Sequence, residues 1–169
     1  MSSKKVLILN QTQIQQKINR IAFQILEDNF DEQEIIIAGV VARGYRLAKR
    51  IEKVLAKISN LKITLAKIEL NKDSSKLESA IDIPIKDCEN KVIILVDDVL
   101  NSGRTLAYGL GVFLNIPLKK LRSVVLIDRS HKNFPVATDF VGLELSTVLK
   151  EHVSVILDEN DEEDSVYLI

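Results

Sequence analysis

The run Val92-Ile-Ile-Leu-Val-Asp-Asp-Val-Leu-Asn-Ser-Gly-Arg-Thr105 sets the architecture of this chain. Its first five residues are apolar and mostly β-branched, the pattern of a strand buried on both faces. Two adjacent carboxylates, Asp97 and Asp98, follow, then a loop of small residues, then the start of a helical run over 105–114. In an open α/β sheet, the crevice beyond the carboxyl end of such a strand is where ligands sit. The N–H groups of residues 102–105, the hydroxyls of Ser102 and Thr105 and the positive end of the helix dipole all favour a bound phosphate there. Gly103 allows the backbone to approach the anion closely. Carboxylates beside an anion site repel the anion itself, but they suit a polyol. Asp97 and Asp98 can accept hydrogen bonds from the paired hydroxyls of a ribose, directly or through a metal, while its phosphate rests on the loop. The implied ligand is a sugar phosphate.

Working outward from this run, apolar residues at three- and four-residue steps over 12–28 (Ile14, Ile18, Ile21, Ala22, Ile25, Leu26) predict a helix, with Asn10 or Thr12 as cap. Residues 35–41 read as a second buried strand that breaks at Ala42-Arg-Gly44. Helical spacing returns over 45–58, residues 61–70 alternate like a strand, and 123–127 form a third buried strand. Strand, helix, strand, helix, strand in this order predicts an α/β single domain whose central, mostly parallel sheet has helices on both faces. The polar, aperiodic stretch 71–79 is the candidate mobile loop. The acidic residues over 158–164 read as a solvated tail.

The totals exclude several classes. The 169 residues, 46% of them hydrophobic, suit one compact domain. With 23 Lys and Arg against 24 Asp and Glu, no overall charge draws the chain to nucleic acid or membrane. Cys88 is the lone cysteine, so neither an internal disulfide nor a thiolate metal cluster is available, which fits a reducing cytoplasm. No secretory core follows the first residues, and no apolar run approaches the ~20 residues that span a bilayer. The expectation is a soluble cytoplasmic protein. The dinucleotide fingerprint and the phosphate loop of nucleotide triphosphatases are both absent.

The order of apolar strand, two acids, two apolar residues, a variable position and small-Gly-basic-Thr resembles the signature of the type I phosphoribosyltransferases. The likeness extends along most of the chain, through Ala38-Gly-Val-Val-Ala-Arg-Gly-Tyr-Arg-Leu-Ala-Lys-Arg50, Leu126-Ile-Asp-Arg-Ser-His-Lys-Asn-Phe-Pro135, Thr138-Asp-Phe-Val-Gly142 and Val155-Ile-Leu-Asp-Glu159. It is similar to the pyrimidine operon attenuator branch, whose members are also uracil phosphoribosyltransferases. The resemblance implies a small hood built from segments within 129–169 and the N-terminus. It implies phosphoribosyl pyrophosphate (PRPP) and a nucleobase, uracil, as substrates, Mg²⁺ as cofactor and self-association as a homodimer or larger homo-oligomer. Arg43 and Gly44 match the pyrophosphate loop, and residues Asn101, Ser102, Gly103, Arg104 and Thr105 the loop that anchors the ribose phosphate. Asp158 matches an acid that holds Mg²⁺, with Asp97 as a further metal contact. Phe140 and Val141 match the hood residues that stack on the base and read its edge, although on spacing alone Phe140 reads as a core aromatic; an arginine beside a glycine at a strand end, as Arg43 is, suits an anion contact. Asp128 and Arg129 stand at a strand end beside the hood, near pyrophosphate.

Three departures bear on function. Asn101 stands where purine-using relatives place an acid, which disfavours purines. The 71–79 loop is shorter than the customary hood loop and lacks its aromatic-Arg-Asp stretch, which bears on water exclusion. The first helix has Lys17 and Arg20 as its only cations, so it would neutralise few phosphates, and RNA binding is disfavoured. The expected chemistry is transfer of a phosphoribosyl group to a ring nitrogen, with Asp97, Asp98, Arg43 and Asn101 as the catalytic set. The rivals are a pyrimidine-responsive RNA-binding regulator and a nucleotide-binding scaffold that has lost turnover.

Overall fold

The computed structural model describes residues 5–71, 78–148, 151–160 and 163–169. The first helix, α1 (Gln11–Asp28), starts at a reciprocal cap: the Asn10 side chain accepts from the Gln13 amide, and the Gln13 side chain accepts from the Asn10 amide. Ile14, Ile18, Ile21, Ala22 and Ile25 form its buried face. It stops where the Asn29 side chain donates to the Ile25 carbonyl. Helix α2 (Arg43–Ile58) buries Leu47, Ala48, Ile51 and Leu55 in the same periodic way.

Strands β2 (Glu34–Val40), β3 (Lys62–Asn71), β4 (Glu78–Ile81), β5 (Val92–Leu100), β6 (Lys120–Asp128) and β7 (Phe140–Glu144) form one sheet in the order β4-β3-β2-β5-β6-β7. Every neighbouring pair is parallel except β3 with β4. Helices α1 and α2 cover one face, with Ile35, Ile37, Val92, Ile94, Val124 and Leu126 beneath them. The third helix, α3 (Arg104–Gly111), covers the other with Phe113, above Ile93, Leu95 and Val125. Helices on both faces of a mostly parallel sheet are what the residue pattern predicts. Each isoleucine or leucine fully withdrawn from water in these layers contributes about 1.5–3 kcal/mol.

A second, antiparallel sheet has the order β1-β9-β8, from β1 (Val6–Leu9), β8 (Val153–Ile156) and β9 (Ser165–Leu168). Leu9, Val155, Leu157 and Val166 seat it on the α1–α2 side of the core. Residues 140–144, expected in the hood, instead extend the central sheet as its edge strand. Strand β5 also runs past Val96 to Leu100, because Asp97, Val99 and Leu100 keep pairing with Val125, Ile127 and Asp128. The two carboxylates therefore belong to the strand. Of the expected 71–79 loop, Asn71 pairs with Glu78 and Leu70 with Ser79, while 72–77 lie outside the described residues. Asp164, read as part of a solvated tail, is buried against Arg50 of α2. Among the described residues no helix is long and apolar enough to cross a membrane.

Candidate active site

A cavity of about 440 Å³ opens beyond the carboxyl ends of β2, β5 and β6, a size suited to a small-molecule ligand. Asp97 and Asp98 lie at its centre, both nearly buried. Asp97 Oδ1 accepts from the Asp98 amide at 2.9 Å, which fixes one carboxylate by the backbone of the other. Arg43 Nε stands 2.9 Å from Asp98 Oδ2 as an ion pair, yet no N–H is directed at that oxygen, which has no hydrogen bond among the described residues. A buried carboxylate oxygen in this state suits a hydroxyl donor or a cation.

On the β2 side the chain turns sharply through a cis Val41–Ala42 peptide into α2. Ala42 provides no side-chain cap, so the first amides of α2 have no acceptor from it. Gly44 is required by proximity: a Cβ there would stand 2.7 Å from the Val96 carbonyl oxygen and 3.0 Å from Asp97 Cα. On the far side of the carboxylates, α3 likewise begins without a side-chain cap at Gly103, whose φ is +82°. The Ser102 carbonyl accepts from the Asn133 and Phe134 amides, pinning this loop to the segment after β6. Two open helix N-termini thus flank one carboxylate pair, a layout for a ligand with anionic groups at both ends and hydroxyls between.

Arg43, Gly44, Asp97, Asp98, Asn101 and Thr105 meet in this cavity, and Ser102, Gly103 and Arg104 complete the loop between two of them. Arg129, at the end of β6, also lines it while only 4% exposed. Its guanidinium donates to Asn101 Oδ1 at 3.1 Å, to Thr147 Oγ1 at 3.2 and 3.1 Å, and to the Glu151 carbonyl. Val153 of β8 faces the cavity as well. Sequence reasoning missed it, since one valine in a short apolar run has no local mark.

Phe140 and Val141 do not line the cavity. Phe140 is paired with Val124 and Val141 with Val125, four and three positions before the β6 end at Asp128. At about 3.3 Å per residue, that sets them roughly 10 Å below the crevice. Phe140 packs against the core, as its spacing alone suggests, and the Val141 carbonyl is taken by Arg20 of α1.

Asp158 also stands outside the cavity lining. Its Oδ2 accepts from the Asn160 amide, its own amide donates to Asp164 Oδ1, and its carbonyl receives Arg50. Arg46, one turn after Arg43, donates to the Leu157 carbonyl and pairs with Glu159. The loop bearing Asp158 is therefore held against the same helix that begins with Arg43.

Among the described residues no group of three or more His, Cys, Asp or Glu could hold a metal unaided. Mg²⁺ commonly rests on one or two carboxylates, with waters and substrate phosphates completing its shell. The Asp97–Asp98 pair, with its hydrogen-bond-free buried oxygen, fits a cation that arrives with a phosphorylated ligand.

This cavity between two anion-receptive helix ends suits a phosphorylated sugar. Residues 7–160 match the phosphoribosyl transferase domain, so the chain belongs to the phosphoribosyltransferase family. It is 37% identical over 169 residues to the bifunctional protein PyrR of Clostridium kluyveri, covering 96% of each chain. It is 38% identical over 176 residues to the same-named protein of Alkaliphilus metalliredigens, covering 98% of this chain and 95% of that one. In fold it resembles the hypoxanthine phosphoribosyltransferase of Trypanosoma cruzi, with a TM-score of 0.76 at 18% identity over 95% of this chain and 94% of that one.

Proposed function

We propose that the protein transfers the phosphoribosyl group of PRPP to uracil with release of pyrophosphate. The observation that supports this reading is the placement of two uncapped helix N-termini on either side of Asp97 and Asp98 in one cavity. PRPP has a phosphate at C5, a diol in the middle and a pyrophosphate at C1, in that order.

In this reading the amides and hydroxyls of residues 102–105 hold the ribose phosphate. Asp97 and Asp98 accept from the two ribose hydroxyls. Arg43 and the amides around Gly44 receive the pyrophosphate, whose negative charge grows as the C1–oxygen bond breaks. Bond breaking runs ahead of bond making, so the protein's contribution is placement and electrostatics. Asp97 and Asp98, with Asp158 of the neighbouring loop, would hold Mg²⁺, which would supply charge neutralisation for the departing pyrophosphate. The base enters on the β6 side, between Asn101, Arg129 and Val153. Pairing of two copies and a cytoplasmic setting accompany this reading.

The test is pyrophosphate release from PRPP and Mg²⁺ with each common base. Release with uracil is expected, and silence with every base would remove the enzyme.

A second reading follows from the relatives, which are called bifunctional. In it the chain also binds pyrimidine leader RNA. Helix α1 offers it little: Arg20, one of its two cations, donates to the Val141 and Gly142 carbonyls. A salt-dependent shift of such an RNA would establish the second activity, and no shift at low salt would remove it.

A further inference from the structure

The loop between β5 and α3 has an outer side as well as a side toward the ligand, and the outer side is held by a segment about 30 positions further along the chain. Residues 134–136 lie directly on Gly103: a Cβ built there would stand 2.6 Å from Val136 Cγ2, 3.3 Å from the Phe134 carbonyl oxygen and 3.4 Å from Phe134 Cβ. Two amides of the same segment, Asn133 at 2.8 Å and Phe134 at 3.0 Å, donate to the single Ser102 carbonyl. A carbonyl oxygen that accepts twice from a second segment has both lone pairs engaged, which fixes the plane of its peptide.

Ser102 C=O and Gly103 N–H belong to one trans peptide and therefore point in opposite directions. With the oxygen held against residues 133–134, the N–H is turned to the other side, and among the described residues it has no hydrogen-bond partner. Asn101 and Thr105, which flank this peptide in the chain, both line the cavity. The segment is itself held by an aromatic contact. The Phe134 ring lies 6.4 Å from the Tyr108 ring and is tilted 58° to it, within the range of edge-to-face packing. Tyr108 belongs to α3, and Arg104, the first residue of that helix, lays its guanidinium 5.7 Å from the centre of the same ring.

We infer that Phe134 is a positioning residue for the phosphate loop: docked on Tyr108, it keeps the Asn133 and Phe134 amides on the Ser102 carbonyl and so aims the Gly103 N–H at the ligand before any ligand arrives. A donor fixed in advance spares the phosphate the cost of ordering the loop. The inference rests on the transferase reading, in which this loop receives the phosphate at C5 of PRPP and the Arg43–Gly44 side receives the pyrophosphate.

Calorimetric titration with PRPP and with pyrophosphate, each with Mg²⁺, separates the two ends of the cavity. Phe134→Ala keeps both backbone donors but releases the segment from Tyr108. It should weaken PRPP roughly tenfold and leave pyrophosphate unchanged, a split that general destabilisation does not produce. Phe134→Tyr keeps the ring and should retain the native PRPP affinity. Amide exchange of the native protein needs no variant: without ligand, the Asn133 and Phe134 amides should be protected and the Gly103 amide should exchange freely until PRPP is added. Fast exchange at Asn133 and Phe134 overturns the inference, as does a Phe134→Ala variant that weakens PRPP and pyrophosphate alike or weakens neither. Failure of the native protein to bind PRPP removes the transferase reading, and this inference with it.

Discussion

Arg43 Nε stands 2.9 Å from Asp98 Oδ2, so the first residue of α2 and the third-to-last residue of β5 meet across the cavity. The arginine side chain is 56% exposed and the carboxylate 11%, so the arginine is the partner free to move. A pyrophosphate on this side offers the guanidinium a stronger acceptor than one poorly aligned carboxylate oxygen. Arg43→Gln should therefore weaken PRPP binding by about 1.5–3 kcal/mol, roughly tenfold to a hundredfold, with little loss of stability. Calorimetry with PRPP and Mg²⁺ would show it, and undiminished affinity would remove Arg43 from the site.

Gly44 gives a second prediction. A methyl group placed there meets the Val96 carbonyl oxygen at 2.7 Å, and backbone cannot step aside as a flexible side chain can. Gly44→Ala should push α2 away from β5, destabilising the fold by about 1–3 kcal/mol and opening the anion site. Both a lower melting temperature and a weaker PRPP titration are expected. A native-like value for either contradicts the close contact.

How far the sequence revealed this site depends on the range of the signals. The 92–105 run is legible because strand, carboxylates, glycine and helix start are consecutive, and each has a local cause. Asn10 and the α1 periodicity are legible for the same reason. Phe140 and Val141 misled because a motif does not state the height at which a strand enters the sheet; their pairing with Val124 and Val125 does. Asp164 reads as solvated within an acidic run, and its pairing with Arg50, 114 positions away, has no local trace. The sheet β1-β9-β8 joins Val6 to Leu168, a register that alternation in four-residue strands cannot specify.

That Arg50–Asp164 pair yields a third prediction. Both side chains are under a tenth exposed, so neither charge can recover its hydration if the other is removed. Arg50→Met should cost roughly 3–5 kcal/mol in urea unfolding, and adding Asp164→Leu should restore part of it. A double variant no better than the single one contradicts an uncompensated charge as the cause.

A fourth prediction concerns acid. Burial works to raise the Asp28 pKa, but hydrogen bonds and charges from Arg122 and Lys120 outweigh it and hold the carboxyl below 3.8. Lys120 Nζ and Arg122 Nε each lie 3.0 Å from its Oδ2. A depressed folded pKa means stabilisation that is full above the ordinary carboxylate value and is lost as pH falls through the folded one. Asp28→Asn should therefore lower stability at pH 7 by about 1 kcal/mol, or roughly 2–4 °C in melting temperature. The gap should narrow as pH falls below the ordinary carboxylate range, and a gap independent of pH contradicts the ion pairs as its source.

Helix α2 begins at the cavity with Arg43 and Gly44, and one and two turns on it grips Leu157, Asp158 and Asp164 through Arg46 and Arg50. A rigid rod with a ligand at one end and a clasp along its side makes the two mutually dependent. Whatever free energy an anion spends in quieting the first turn of the rod must reappear as slower amide exchange in the clasped segment, and loosening the clasp must weaken the anion by the same factor.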